Sequence, residues 1–142
     1  MKDQNFSNHS RYVPLYHFIA SVLLLAILIG ASINLWFNAK QNTYSSCLIF
    51  ALTVLVGLVW YFSRTFALKA QDRAIRAEEN FRHFILTGKP LSSSLRMGQI
   101  IALRFAADEE LAGLAEKAVT ENLSGKEIKQ HIKKWKADHH RA

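Results

Sequence analysis

Two long runs without a single Asp, Glu, Lys or Arg constrain this chain more than anything else in it. Leu15 to Phe37 (LYHFIASVLLLAILIGASINLWF) is one of them, 23 residues long. Cys47 to Phe62 (CLIFALTVLVGLVWYF) is the other, and Ser45, Ser46 and Ser63 can extend it. Roughly 20 such residues at about 1.5 Å each cross the roughly 30 Å of a bilayer's hydrocarbon. Half the residues are apolar, yet mean hydropathy is only +0.03, so the apolar material is concentrated in these two runs. A soluble fold built around them would have little else apolar to cover them. A cleaved signal peptide is disfavoured for the first run: it is too long, and Lys2 and Arg11 form no basic cluster ahead of it.

Basic residues near the ends of the runs set the expected orientation. The connection 38–46 has one, Lys40, whereas Arg64, Lys69, Arg73, Arg76 and Arg82 follow the second run and Lys2 and Arg11 precede the first. Both termini are therefore expected in the cytoplasm, with a short hairpin loop outside. Tyr12, Tyr16, Trp60 and Tyr61 would mark the inner interface, and Trp36 and Tyr44 the outer one. The net charge of +7 is spread over the chain, and much of it is this positive-inside bias plus a basic tail. The lone cysteine, Cys47, excludes an internal disulfide and reads as small apolar filler.

Helices associate in lipid through close packing of small residues. Ala26 and Gly30 lie four apart on the first run, and Thr53 and Gly57 on the second. In an antiparallel hairpin Ala26 would face Gly57 and Gly30 would face Thr53, so Gly30→Leu should loosen it. Asn34 is expected to bond the partner helix or interfacial water.

No helix breaker occurs from Ser63 to Thr87, after which Gly88 offers a left-handed cap and Pro90 blocks continuation. Ala67, Ala70, Ala74, Ala77, Phe81 and Phe84 alternate spacings of three and four, which is a heptad stripe. Glu78–Arg82 and Glu79–His83 are expected i,i+4 pairs. The stripe could be covered by the protein's own C-terminal helices, the favoured reading, or by another copy. Beyond Pro90, the serines 92–94 should cap a helix Leu95–Phe105, and the acidic Asp108, Glu109 and Glu110 suit the start of another. Ser124 and Glu127 form a capping box, with Leu123 and Ile128 as its staple. Ile128, Ile132 and Trp135 would share one face of the last helix, and packing on the Phe81/Phe84 end of the stalk would complete a small core.

Catalytic signatures are lacking. There is no Gly-rich phosphate loop, no G-x-S-x-G and no Cys/His nucleophile pair. The six histidines show no metal-ligand spacing, and Glu79 and His83 are one residue too far apart for a Glu-x-x-His motif. The chain therefore reads as a non-enzyme needing no cofactor or metal. Partner or lipid contact falls to Asn8, His9, Arg11 and Tyr12 before the first run and to Lys129, Lys133, Lys134 and Lys136 in the tail. Lysines near a membrane surface attract anionic lipid, whereas the acidic helix ahead of them would meet nucleic acid phosphate badly.

NHSRYVPLYH, AEENFRHFILTGKPL and QIIALRFAADEE followed by ENLSGKEIKQHIKKW together resemble an uncharacterised family of small bacterial membrane proteins, known only as a domain of unknown function. The resemblance spans almost the whole chain and implies a bacterial origin and a two-span architecture. The expected fold is an all-α integral membrane protein. It comprises a flank 1–14, a transmembrane hairpin of helices 15–37 and 47–66 joined by the outer loop 38–46, a stalk helix 67–87 and a three-helix module 88–142. The expected function is a scaffold, accessory subunit or assembly factor, with lipid and a protein partner or second copy as contacts. The alternative is a tethered lipid- or nucleic-acid-binding module built on the basic tail.

Overall fold

The computed structural model describes Phe6 and residues 13–138. It is all-helical, with no strand among these residues beyond one isolated bridge between Ala106 and Trp135. Two helices, α1 (Leu15–Asn38) and α2 (Lys40–Thr87), are long and apolar enough to cross a membrane. Three short ones follow: α3 (Met97–Leu103), α4 (Asp108–Thr120) and α5 (Gly125–His131). Contacts divide the described residues into one unit, 13–66, and a second, 67–138 together with Phe6.

The first unit is an antiparallel hairpin. Its expected nine-residue loop is instead helical except at Asn42, the one residue out of helical conformation (φ −138°, ψ 50°). The opening turns, Leu15–Ala20, are wound as a π-helix, which the sequence did not announce. The arms meet along Leu24, Leu28 and Ala31 on α1 and Ser46, Thr53 and Gly57 on α2; Ala31, Ser46 and Thr53 are buried. Asn34 Nδ2 donates to Ser46 Oγ at 3.2 Å near the turn. At the other end the Tyr16 hydroxyl donates to Trp60 O at 2.8 Å, and the two rings stack at 5.0 Å. Ala26 and Gly30 do not join this seam. Both are exposed, and a Cβ at Gly30 would meet nothing within 4 Å. Gly30 lies one residue from Ala31, and Ala26 two from Leu24 and Leu28; at about 100° per residue either offset turns a side chain off the seam.

In the second unit, Gly88 takes a left-handed φ of 71° and donates its N–H to Phe84 O at 2.8 Å, ending α2 as its position predicts. The serines 92–94 form a turn of their own, so α3 begins later than expected. Gln99 Oε1 reaches back to accept the Arg96 N–H at 2.7 Å and fixes the N-cap there. Gln99 is buried, and its Nε2 donates to Ala118 O (3.2 Å) and Leu123 O (2.8 Å), tying α3 to the end of α4. Each polar atom is thereby partnered, as burial requires. Asn122, at φ 51°, turns the chain between α4 and α5. The Ser124–Glu127 capping box forms with both hydrogen bonds, at 3.3 and 2.6 Å. Gly125 sits so close to α3 that a Cβ would lie 2.7 Å from Gly98 O.

Ala102, Leu103, Leu111, Ala118 and Ile128 are wholly buried and form the core with Ile75 of α2. Helix α5 ends at His131, and Ile132 is extended (ψ 120°). Ile128, Ile132 and Trp135 therefore do not share a helix. Glu110 stops the last helix by accepting the Lys133 and Lys134 amides at 3.0 and 3.2 Å, which an α-helix would have used itself. The released segment lies antiparallel to residues 105–107, with Ala107 donating to Lys134 O and Lys136 to Phe105 O.

Candidate functional site

The head is seated on α2 by a polar stripe. Ile75 and Glu79 are buried, and Arg82 is the centre of the contact. Its guanidinium holds Glu79 at 3.0 Å, Asp108 at 2.6 Å and the Ala106 carbonyl at 2.7 Å. Asp108 begins α4 and Ala106 lies just before it, so one arginine fixes the α3–α4 corner to the stalk. The expected pairs Glu78–Arg82 and Glu79–His83 do not form. Arg82 turns to Glu79 and Asp108 instead, and His83 Nδ1 donates to Lys89 O at 2.8 Å. Glu78 is left exposed, without an ion pair.

Because the head occupies the Ile75–Glu79–Arg82 side, it leaves the heptad stripe uncovered. Ala67, Ala70, Ala74, Ala77, Phe81 and Phe84 are all exposed, Phe81 at 65% and Phe84 at 51%. The favoured expectation, that the C-terminal helices cover this stripe and complete a core on Phe81 and Phe84, is thus corrected. Polar contacts of Arg82 seat the head instead, and they depend on the exposed Asp108 and on the Ala106 carbonyl, more than 20 residues downstream.

Besides a groove of about 360 Å³ that sets Ala74 and Glu78 opposite Lys136 and Asp138, two more open grooves flank the seat. One, of about 440 Å³, lies between the end of α2 and α4, with Leu95, Ala115 and Val119 as its apolar floor and His83 and Lys89 on its rim. The other, of about 450 Å³, sets Arg73, Arg76 and Asn80 opposite Ser92 and Ser93. Neither gathers a nucleophile, a base and a third orienting group. Among the described residues no three His, Cys, Asp or Glu side chains converge as a metal site would need.

The tail lysines are dispersed. Lys129 lies on α5 with its Nζ 5.3 Å from the centre of the Phe105 ring. Lys134 faces Glu109 at 3.8 Å, and Lys133 and Lys136 are exposed on the extended segment. They make no basic helical face. Phe105 also stacks on Trp135 at 4.8 Å, and Arg104 beside it pairs with Asp138 at 2.9 Å. Asn8, His9, Arg11 and Tyr12 lie outside the described residues. Hydrogen bonds from Ser124 hold the carboxyl of Glu127 below the usual range.

Fold and surface together define a class: an apolar helical hairpin followed by a small helical head seated on a continuation of its second helix, with an unpaired heptad face. The chain belongs to a family of unknown function (DUF6526), matched over residues 1–142. No curated protein and no solved structure matches it.

Proposed function

We propose that this is a two-span protein of a bacterial inner membrane, with both termini cytoplasmic, that works as a non-catalytic accessory subunit, scaffold or assembly factor through its helical head and stalk. One observation carries the membrane part. In the apolar windows of α1 and α2 only 6% and 11% of the residues are buried. Core helices of a water-soluble protein hide their apolar side chains, whereas these present Leu25, Ile33, Leu52 and Val59 outward, as lipid contact requires. Trp36 and Tyr44, the outer aromatic pair, are more than three-quarters exposed, in keeping with an interfacial belt.

The uncovered stripe supports the interaction part, since exposed aromatic rings on a polar helix are unfavourable in water unless a partner meets them. The lipid- or nucleic-acid-binding alternative has less support, because Lys129 and Lys134 already face Phe105 and Glu109. Purification from native membranes in mild detergent, with the intact particle weighed, tests the proposal. A stoichiometric complex retained in carbonate-washed membranes is expected. Release of the chain by carbonate wash would refute the anchoring, and a 16.2 kDa monomer would refute the scaffold role.

A further inference from the structure

We infer that the stripe along α2 is the seam of a parallel two-stranded coiled coil with a second copy of this chain, locked by reciprocal Arg73–Glu78 ion pairs. Taking Ala67 as position a makes Ala70, Ala77 and Phe84 the d positions and Ala74 and Phe81 the other a positions. The residues that seat the head, Ile75, Glu79 and Arg82, then fall at b, f and b. The body of the head therefore sits on the outer side of such a coil, with Leu91 donating its N–H to the g residue Asn80 at 2.8 Å, and the a and d residues stay exposed over about 26 Å of helix. Four alanines let the helices approach closely at one end, and Phe81 and Phe84 fill the wider gap at the other.

Charge selects the partner. In a parallel coil, a g residue of one strand meets the e residue of the next heptad on the other. Here those pairs are Phe66 with Gln71, Arg73 with Glu78 and Asn80 with Ile85. None is like-charged, and the single charged pair is of opposite sign and occurs twice by symmetry. Arg73 and Glu78 are both exposed, and neither has an ion pair within its own chain, since Arg82 has been drawn to Glu79 and Asp108. An antiparallel coil would set g against g and e against e, so Arg73 would never meet Glu78. The face is thus complementary to itself, which a site for an unrelated protein has no reason to be.

The inference deepens the proposed function and rests on it, because anchoring both chains in one membrane raises their effective concentration for so short a seam. The test uses full-length protein in native membranes with Cys47→Ser as background. Ala70→Cys and Ala77→Cys should cross-link to a species of twice the chain mass on mild oxidation, while Leu68→Cys and Arg76→Cys, at b and c, should not. In the Ala70→Cys chain, Arg73→Glu or Glu78→Arg alone should lower the cross-linked fraction about tenfold, as two ion pairs become two like-charge contacts. The double reversal should restore it. Equal cross-linking at all four positions, none at Ala70 and Ala77, an adduct with a different protein, or no rescue by the double reversal would each overturn the inference. Carbonate extraction of the same membranes separates the two ideas. A chain that stays in the membrane yet fails to cross-link defeats the coil alone, and one that washes out defeats the anchoring.

Discussion

The hairpin and the head solve opposite packing problems. The hairpin buries few side chains, and those it buries are small or polar: Ala31, Ser46 and Thr53. Its large residues point outward, and its arms are joined by a few hydrogen bonds and one aromatic stack. The head does the reverse. Leu103, Phe105, Leu111 and Ile128 lose all contact with solvent, and its polar groups work as fasteners between elements. Under the membrane placement proposed above, small residues suffice in the hairpin, because in surroundings as apolar as the protein only close packing and hydrogen bonding hold helices together. The head has a core of the kind that apolar burial stabilises.

The contrast can be broken by cutting the same apolar residue from each region. Leu103→Ala should cost the head about 2–5 kcal/mol, enough to unfold much of it, because the cavity would have no solvent access. Leu52→Ala, on an exposed position of the hairpin, should leave head stability unchanged in the same denaturant titration. Next comes Arg82→Leu, expected to cost about 2–3 kcal/mol by leaving Glu79 buried without its cation. The loss should be partly recovered by adding Glu79→Leu, which would show that the charge rather than the shape carries the seat. In the hairpin, Ala31→Leu should cost about 1–3 kcal/mol by overpacking the seam, whereas Gly30→Leu should be tolerated. Cross-linking efficiency between cysteines placed on the two arms distinguishes these outcomes, and equal loss for both would contradict the seam described.

The smallest effect concerns the cap of α5. Ser124→Ala should cost about 1 kcal/mol. The carboxyl of Glu127 titrates below its ordinary 4.5, chiefly through hydrogen bonds from Ser124. A depressed folded-state value means that the capping contribution is complete above the unfolded pKa and disappears as pH falls through the folded one. The gap between the thermal melts of wild type and Ser124→Ala should therefore be larger at pH 7 than in acid, where the Glu127 N–H to Ser124 Oγ bond alone is left to lose. An equal gap at both pH values would assign the cap to that bond alone.

Features written in adjacent residues were legible in the sequence. The Ser124–Glu127 box, the Gly88 cap and the two apolar runs each depend on a few neighbours, and each is found where the sequence places it. Features depending on distant partners were not. Nothing near Arg82 announces that it will bind Ala106 and Asp108, so the polar side of the stalk gave no hint of receiving the head. Nor does the periodicity of Ile128, Ile132 and Trp135 show that Glu110 will take the amides needed to continue α5. The hairpin seam failed for another reason. Gly30 and Ala26 satisfied the small-residue rule, but it is Leu24 that lies against Gly57, and composition could not rank the two faces. The stripe was visible as a pattern, and only its occupant was misassigned.

The clasp between residues 105–107 and the extended segment after α5 also orders events in time. The hairpin is complete once residue 66 has been made, but the head must wait for Trp135 to cover Phe105 and for Asp138 to reach Arg104. During synthesis, then, the apolar arms are ready first, and the head closes only with the last described residues. A chain cut short after Ile132 would keep every helix and still lack its latch.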